Sequence, residues 1–186
     1  MGAMSVSPHA AVRKHLCKTW GPPVAEITWD SGPVDDLPSG FHILSFTKRG
    51  ELTTYCTCGL SGSGEEPALE LFMVAPSGLA PEDTVELLVA VAHFHCTSTK
   101  LSVGHIVNFG RGWTDESECD HGILILPYLD GPSLEWTSDR KLRVLWLLPV
   151  TNSEREYAKL YGREVLEQEF DKPNFRYWDP RRPSTM

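Results

Sequence analysis

Gly122-Ile123-Leu124-Ile125-Leu126-Pro127-Tyr128 and Leu142-Arg143-Val144-Leu145-Trp146-Leu147-Leu148 are two almost continuous apolar runs of strand length. A strand with one wet face alternates apolar and polar residues, whereas a strand covered on both faces has no such requirement. The two runs therefore predict neighbouring central strands with packing on both sides. The polar connection between them, turning at Asp130-Gly131-Pro132, suits an antiparallel return.

Upstream, four further apolar, β-branched or aromatic stretches read as strands: Val24 to Trp29, Phe41 to Thr47, Leu52 to Thr57 and Leu69 to Ala75. Lys48-Arg49-Gly50-Glu51 is short enough to close a hairpin between the second and third. Ahead of them, Ser7 caps and Pro8 opens a helix over residues 8–20, which Gly21-Pro22-Pro23 ends, with Val12, Leu16 and Trp20 as its buried stripe. A second helix follows the break at Pro76 to Pro81, carries Glu82, Asp83 and Glu86 in its first turns, buries Val85, Leu88, Val89, Ala92 and Phe94, and ends near Thr97. From Ser98 to Gly122 the chain is polar and glycine-bearing, relieved only by Gly104-His105-Ile106-Val107, and reads as a long loop. A last helix is expected from a capping box at Ser153 and Glu156 to Phe170. The order predicts one α+β domain over residues 4–170, a mixed, mostly antiparallel sheet of about six or seven strands with helices packed on it. Residues 171–186 read as a Pro-rich tail whose Phe175, Tyr177 and Trp178 dock somewhere, and Met1-Gly2-Ala3 as an expression remnant.

The chain has 186 residues, with six Trp, seven Phe and five Tyr, enough to bury a proper core. Its 17 basic and 25 acidic residues give a net charge of −8, which argues against nucleic acid or anionic lipid as a partner. No apolar run approaches the roughly 18–20 residues of a membrane-spanning helix. An odd set of five cysteines and no secretory signal point to the cytoplasm.

Motifs for chemistry are weak. His93 and His95, two apart on a helix, point their donors apart, and Cys56 and Cys58 stand elsewhere in the chain, so four donors are not expected round one tetrahedral metal and no metal or other cofactor is expected. Gly59-Leu60-Ser61-Gly62-Ser63 lacks the last glycine and the following helix of a nucleophile elbow, and it has no lysine for a phosphate loop. Cys96 or Cys119 beside His93, His105 or His121 would make a nucleophile only if the fold joined them. No catalytic residue is assigned, and a Cys or Ser hydrolase is the lesser alternative. The loop Phe109 to Asp120 is different in kind, because it joins Arg111 and Trp113 to Asp115, Glu116 and Glu118. That composition suits an interface anchor ringed by charge, although Trp113 folded inward beneath a solvated loop fits the same residues. A second acidic segment, Gly62 to Glu66, offers Glu65 and Glu66.

Several stretches in order resemble the suppressor-of-fused-like domain family. His15-Leu16 to Gly21 matches its first helix, and Thr57-Cys58-Gly59-Leu60-Ser61 its "TxGxS" strand ending. Glu70-Leu71 to Pro76 is similar to its "ELxxxxP" strand, Gly104-His105 to Gly110 to a "GHxxxxG" loop, and Leu124-Ile125-Leu126-Pro127 to its "LLP" strand. Pro149-Val150-Thr151-Asn152-Ser153-Glu154 resembles the "PLTxxE" entry to its last helix. Cys58 stands where the family has serine, and residues 171–186 have no counterpart in that pattern. The resemblance implies a protein-binding module without a catalytic site. Its bacterial form is an immunity protein that neutralises a cognate toxin, and a small acidic chain suits a toxin with a basic active-site cleft. In that reading Trp113 anchors, Asp115, Glu116 and Glu118 pair with cations and Arg111 braces the loop. A regulatory or scaffold module for an endogenous partner is the alternative.

Overall fold

A computed structural model describes residues 7–32, 34–48 and 50–186; the remnant expected at residues 1–3 lies outside them. Helix α1 (Pro8–Trp20) is followed by β1 (Ala25–Ile27), β2 (His42–Lys48) and β3 (Leu52–Cys58), a 3-10 turn at Leu60–Ser63, and β4 (Ala68–Pro76). Next come α2 (Pro81–Thr97), β5 (Ile106–Asn108), β6 (His121–Ile125), the short α3 (Pro132–Glu135) and β7 (Leu142–Val150). Helices α4 (Asn152–Tyr161) and α5 (Arg163–Phe170) precede the C-terminal segment.

The strands form one seven-stranded sheet in the order β1-β2-β3-β4-β7-β6-β5. β4 and β7 run parallel, from Ala68 opposite Leu142 to Phe72 opposite Trp146, and the other adjacent strands are antiparallel. β6 and β7 are neighbours as expected, with Leu124 opposite Leu147. The side-chain alternation of β7 explains its apolar run: Leu145 and Leu147 face a core shared with α2, while Val144, Trp146 and Leu148 face a second core shared with α1, α5 and the C-terminal aromatics. The sheet is thus the middle of three layers. Each fully buried large apolar side chain contributes about 1.5–3 kcal/mol to such cores.

Local differences from the sequence reading have physical causes. β6 ends at Ile125, because the chain turns there, with the amides of Asp130 and Gly131 both donating to the Pro127 carbonyl. Phe94 is 39% exposed rather than buried. The expected last helix is two helices, broken at Gly162, whose φ of 97° no helical residue adopts. Its capping box lies two residues earlier than expected: the Thr151 hydroxyl accepts from the Glu154 amide at 3.3 Å, and Glu154 Oε2 accepts from the Thr151 amide at 2.9 Å.

Candidate functional site

The loop between β5 and β6 is tied to itself and to α2. Its two arms are zipped by Phe109 N–H to Asp120 O at 3.0 Å and Trp113 N–H to Cys119 O at 2.9 Å. The expectation of Trp113 as an exposed anchor is corrected. Its ring is completely buried and its indole N–H donates to Thr84 Oγ1 of α2 at 3.0 Å, so it nails the loop to the core instead of offering a surface. Arg111 braces the loop, donating to the carbonyls of Gly112 and Trp113 at 2.8 and 2.9 Å and pairing with Glu86 of α2 at 2.7 Å.

Asp115, Glu116 and Glu118 are left exposed at the tip. The first two border an open cleft of about 540 Å³ whose other walls are Pro76, Gly78 and Leu79, Asp83 of α2, and Asp179 to Arg181 of the C-terminal segment. Four carboxylates thus line it against one cation, Arg181, which lies 3.2 Å from Glu116. The Ser117 hydroxyl donates to the Pro180 carbonyl and holds the two walls together.

The second acidic segment lies elsewhere. Glu65 sits 3.0 Å from Nε2 of the buried His95 and pairs with Lys100, while Glu66 is exposed. His95 Nδ1 accepts from the Leu101 amide at 2.9 Å, which leaves the Nε2 proton facing Glu65. Burial pulls the His95 pKa down, against the pull of Glu65 upward. Glu65 therefore fastens its turn to the last turn of α2, whereas Arg111 and its loop sit at the first turns. A helical rise of roughly 1.5 Å per residue puts Asp83 and His95 about 18 Å apart, so the two segments are separate sites.

Glu70 explains the turn between them and β3. It is fully buried; its Oε1 accepts from the amides of Gly59 and Ser61 at 3.0 and 3.1 Å, and its Oε2 from the Thr57 hydroxyl. Burial pushes its pKa up while those donors oppose the shift. Ser61 thus belongs to a carboxylate-ordered turn. Gly59, at φ 112°, leaves no room for a Cβ, which would meet the His9 ring at 2.6 Å. Burial likewise raises the thiol pKa values of Cys56, Cys96, Cys58 (to about 12) and Cys119 (to about 11), the opposite of an activated nucleophile. Among the described residues no group of three or more His, Cys, Asp or Glu side chains is gathered for a metal. No described helix is long and apolar enough to cross a membrane.

Two features carried little sequence signal. Glu154 and Arg182 form a buried ion pair, foreshadowed only by an acid in a capping position. β5 is an edge strand, flanked by a groove of about 420 Å³ against Ala90, Val91, Phe94 and Phe109. An adjoining hollow of about 490 Å³ shares Phe94, Ile106 and Val107 with it and reaches Arg155, Lys159 and Arg163.

Residues 38–183 match the family described as "Suppressor of fused protein (SUFU)", a match that takes in most of the C-terminal segment. No curated protein matches the chain. Among solved structures, a putative SUFU homologue from Neisseria gonorrhoeae is 27% identical with a TM-score of 0.82, over 96% of this chain and 97% of that one. A Sufu–Fu complex structure gives 16% identity and a TM-score of 0.73 over 96% and 92%. Drosophila Suppressor of Fused gives 16% and 0.70 over 96% of this chain and 51% of its own length.

Proposed function

This chain belongs to the suppressor of fused family, and on that footing we propose that it is a protein-binding module that neutralises its partner by covering it, without catalysis of its own. The specific form we propose is a cytoplasmic immunity protein for a bacterial toxin with a basic active-site cleft. The observation that carries it is the open acidic cleft, lined by Asp83, Asp115, Glu116 and Asp179 with Arg181 as the one cation among its walls. Such a surface steers a basic partner and speeds encounter. A relative of the same fold has been solved as a Sufu–Fu complex, which supports protein binding as the use of the fold.

The test is to co-express the neighbouring gene product and measure association and dissociation. Asp115→Asn with Glu116→Gln should lower the on-rate several-fold and flatten its salt dependence, with the off-rate changed less. Unchanged rates in a folded variant would remove the cleft from the interface. The β5 edge favours a second reading, a regulatory module that takes an extended segment of an endogenous partner as an added strand. In that case Phe94→Asp should abolish binding and the cleft variant should not.

A further inference from the structure

On the sheet face opposite α2, a pocket of about 330 Å³ opens between α5, the sheet and the C-terminal segment. Its walls are aromatic. Trp146 stands edge to face with Tyr177 at 5.1 Å between centroids, Phe170 stacks on Phe175 at 4.4 Å, and Tyr128 closes the mouth. Its charged groups are acidic: Glu164, Glu167 and Asp171 line it beside the neutral Gln168, and no Lys or Arg side chain does so among the described residues, although Arg182 lies over the Phe175 ring at 4.7 Å from outside the lining.

We infer that this pocket is a binding site for an organic cation, an ammonium or guanidinium group carried on an apolar stem. Aromatic faces present negative charge to a cation, and carboxylates at the rim add to that attraction, while an anionic ligand would be repelled by the same groups. The volume lies at the small end of ligand sites and suits a group of this size. The carboxylates are not equally free. Arg163, from outside the pocket, lies 3.2 Å from Glu164 and 3.3 Å from Glu167, and the Tyr128 hydroxyl donates to Glu167 at 2.8 Å. Asp171 is exposed and has no side-chain hydrogen bond or ion pair to another described residue, so it is the carboxylate most open to a ligand. The Tyr128 phenol is pushed up to about 12 by burial, its bond to Glu167 and the Glu167 charge, which accords with a negative neighbourhood. Tyr128 and Leu129 are 58% and 53% exposed beside the opening, so the ligand can arrive free or as a side chain of a docked protein.

The experiment is an NMR titration of the whole chain with choline, with its uncharged isostere 3,3-dimethyl-1-butanol, and with N-acetyl-arginine amide. At least one cation should shift the Trp146 indole and Tyr128 ring signals and bind at least ~10-fold tighter than the isostere. Tighter binding of choline would point to a free ligand, and of the arginine amide to a partner's side chain. Glu167→Gln with Asp171→Asn should weaken the cation and leave the isostere unchanged; the exposed Asp171→Asn alone serves if the double variant fails to fold. No shift at these rings, equal binding of the isostere, or cation binding indifferent to the carboxylates would overturn the assignment.

Discussion

Glu154 is a carboxylate with no exposed surface, and Arg182 supplies its counter-charge. The guanidinium donates to both carboxylate oxygens at 2.7 Å and to the Pro149 carbonyl at 2.9 Å, and the Thr185 amide adds a bond at 3.0 Å. Burial alone would raise the Glu154 pKa; the hydrogen bonds and charge of Arg182 outweigh it and hold it below the ordinary 4.5. A depressed acid contributes stability that is fully present above its unfolded pKa and lost as pH falls through the folded one. Glu70, whose folded pKa is raised, has the opposite sign: its contribution is present below about 4.5 and lost as pH rises. Glu154→Gln should therefore lower stability at pH 7 by about 3–5 kcal/mol, because Arg182 is left buried and unpaired. It should also make the loss of stability below pH 4.5 shallower than in the native chain. Urea unfolding across pH 3–7 measures both, and parallel curves would deny the pair its role.

Among the elements, those covered on both faces were the most legible. β6 and β7 are almost continuous apolar runs because α2 packs on one side and α1, α5 and the C-terminal segment on the other. The break at Gly162 was hidden, since Tyr157, Leu160, Tyr161 and Val165 keep helical spacing across it; yet Leu160 is 75% and Tyr161 62% exposed, so periodicity there reports no core. The capping box was misplaced for a similar reason. Thr151-Asn152-Ser153-Glu154 and Ser153-Glu154-Arg155-Glu156 both satisfy the pattern, and what favours the first is Arg182, far along the chain. At the base of the β5–β6 loop, Gly122 lies in a strand as read, and what the sequence did not show is why it has to lack a side chain. A Cβ there would lie 2.6 Å from the Phe109 ring and 2.7 Å from Leu147 Cδ1. Gly122→Ala should cost about 1–3 kcal/mol by overpacking. It should also speed amide exchange across residues 109–120 more than in α2, because Phe109 is the group able to give way. Exchange changed equally throughout would place the strain in β7 instead.

At the scale of the whole molecule, the sequence supplied the residues of the candidate site without their arrangement. Arg111, Trp113 and the acids of the loop have an interface's composition, but the Thr84 hydroxyl that takes the Trp113 indole lies in another element, so burial could not be read locally. Glu65 and Glu116 look equivalent as acids in loops, and the length of α2 separates them. The largest such effect concerns residues 171–186, which read as an appendage and prove to be a wall of the fold. Tyr177 packs against Trp146, Arg182 neutralises Glu154, and Asp179 to Arg181 complete the acidic cleft. Removing residues 179–186 should therefore act at two distances. The buried Glu154 loses its counter-charge, which predicts a loss of about 3–5 kcal/mol, visible as a lower urea midpoint. The cleft loses one wall together with Asp179 and Arg181, so binding of a basic partner should weaken even where the shortened chain is fully folded. Arg181→Glu separates the two effects, since the Arg181 side chain is 74% exposed and its one ion pair among the described residues is with the exposed Glu116. That variant should melt as the native chain does while making the cleft more negative and raising the on-rate of a basic partner. Equal stability of the shortened and full chains would mean that the C-terminal segment merely rests on the sheet, with the buried pair contributing nothing to its hold.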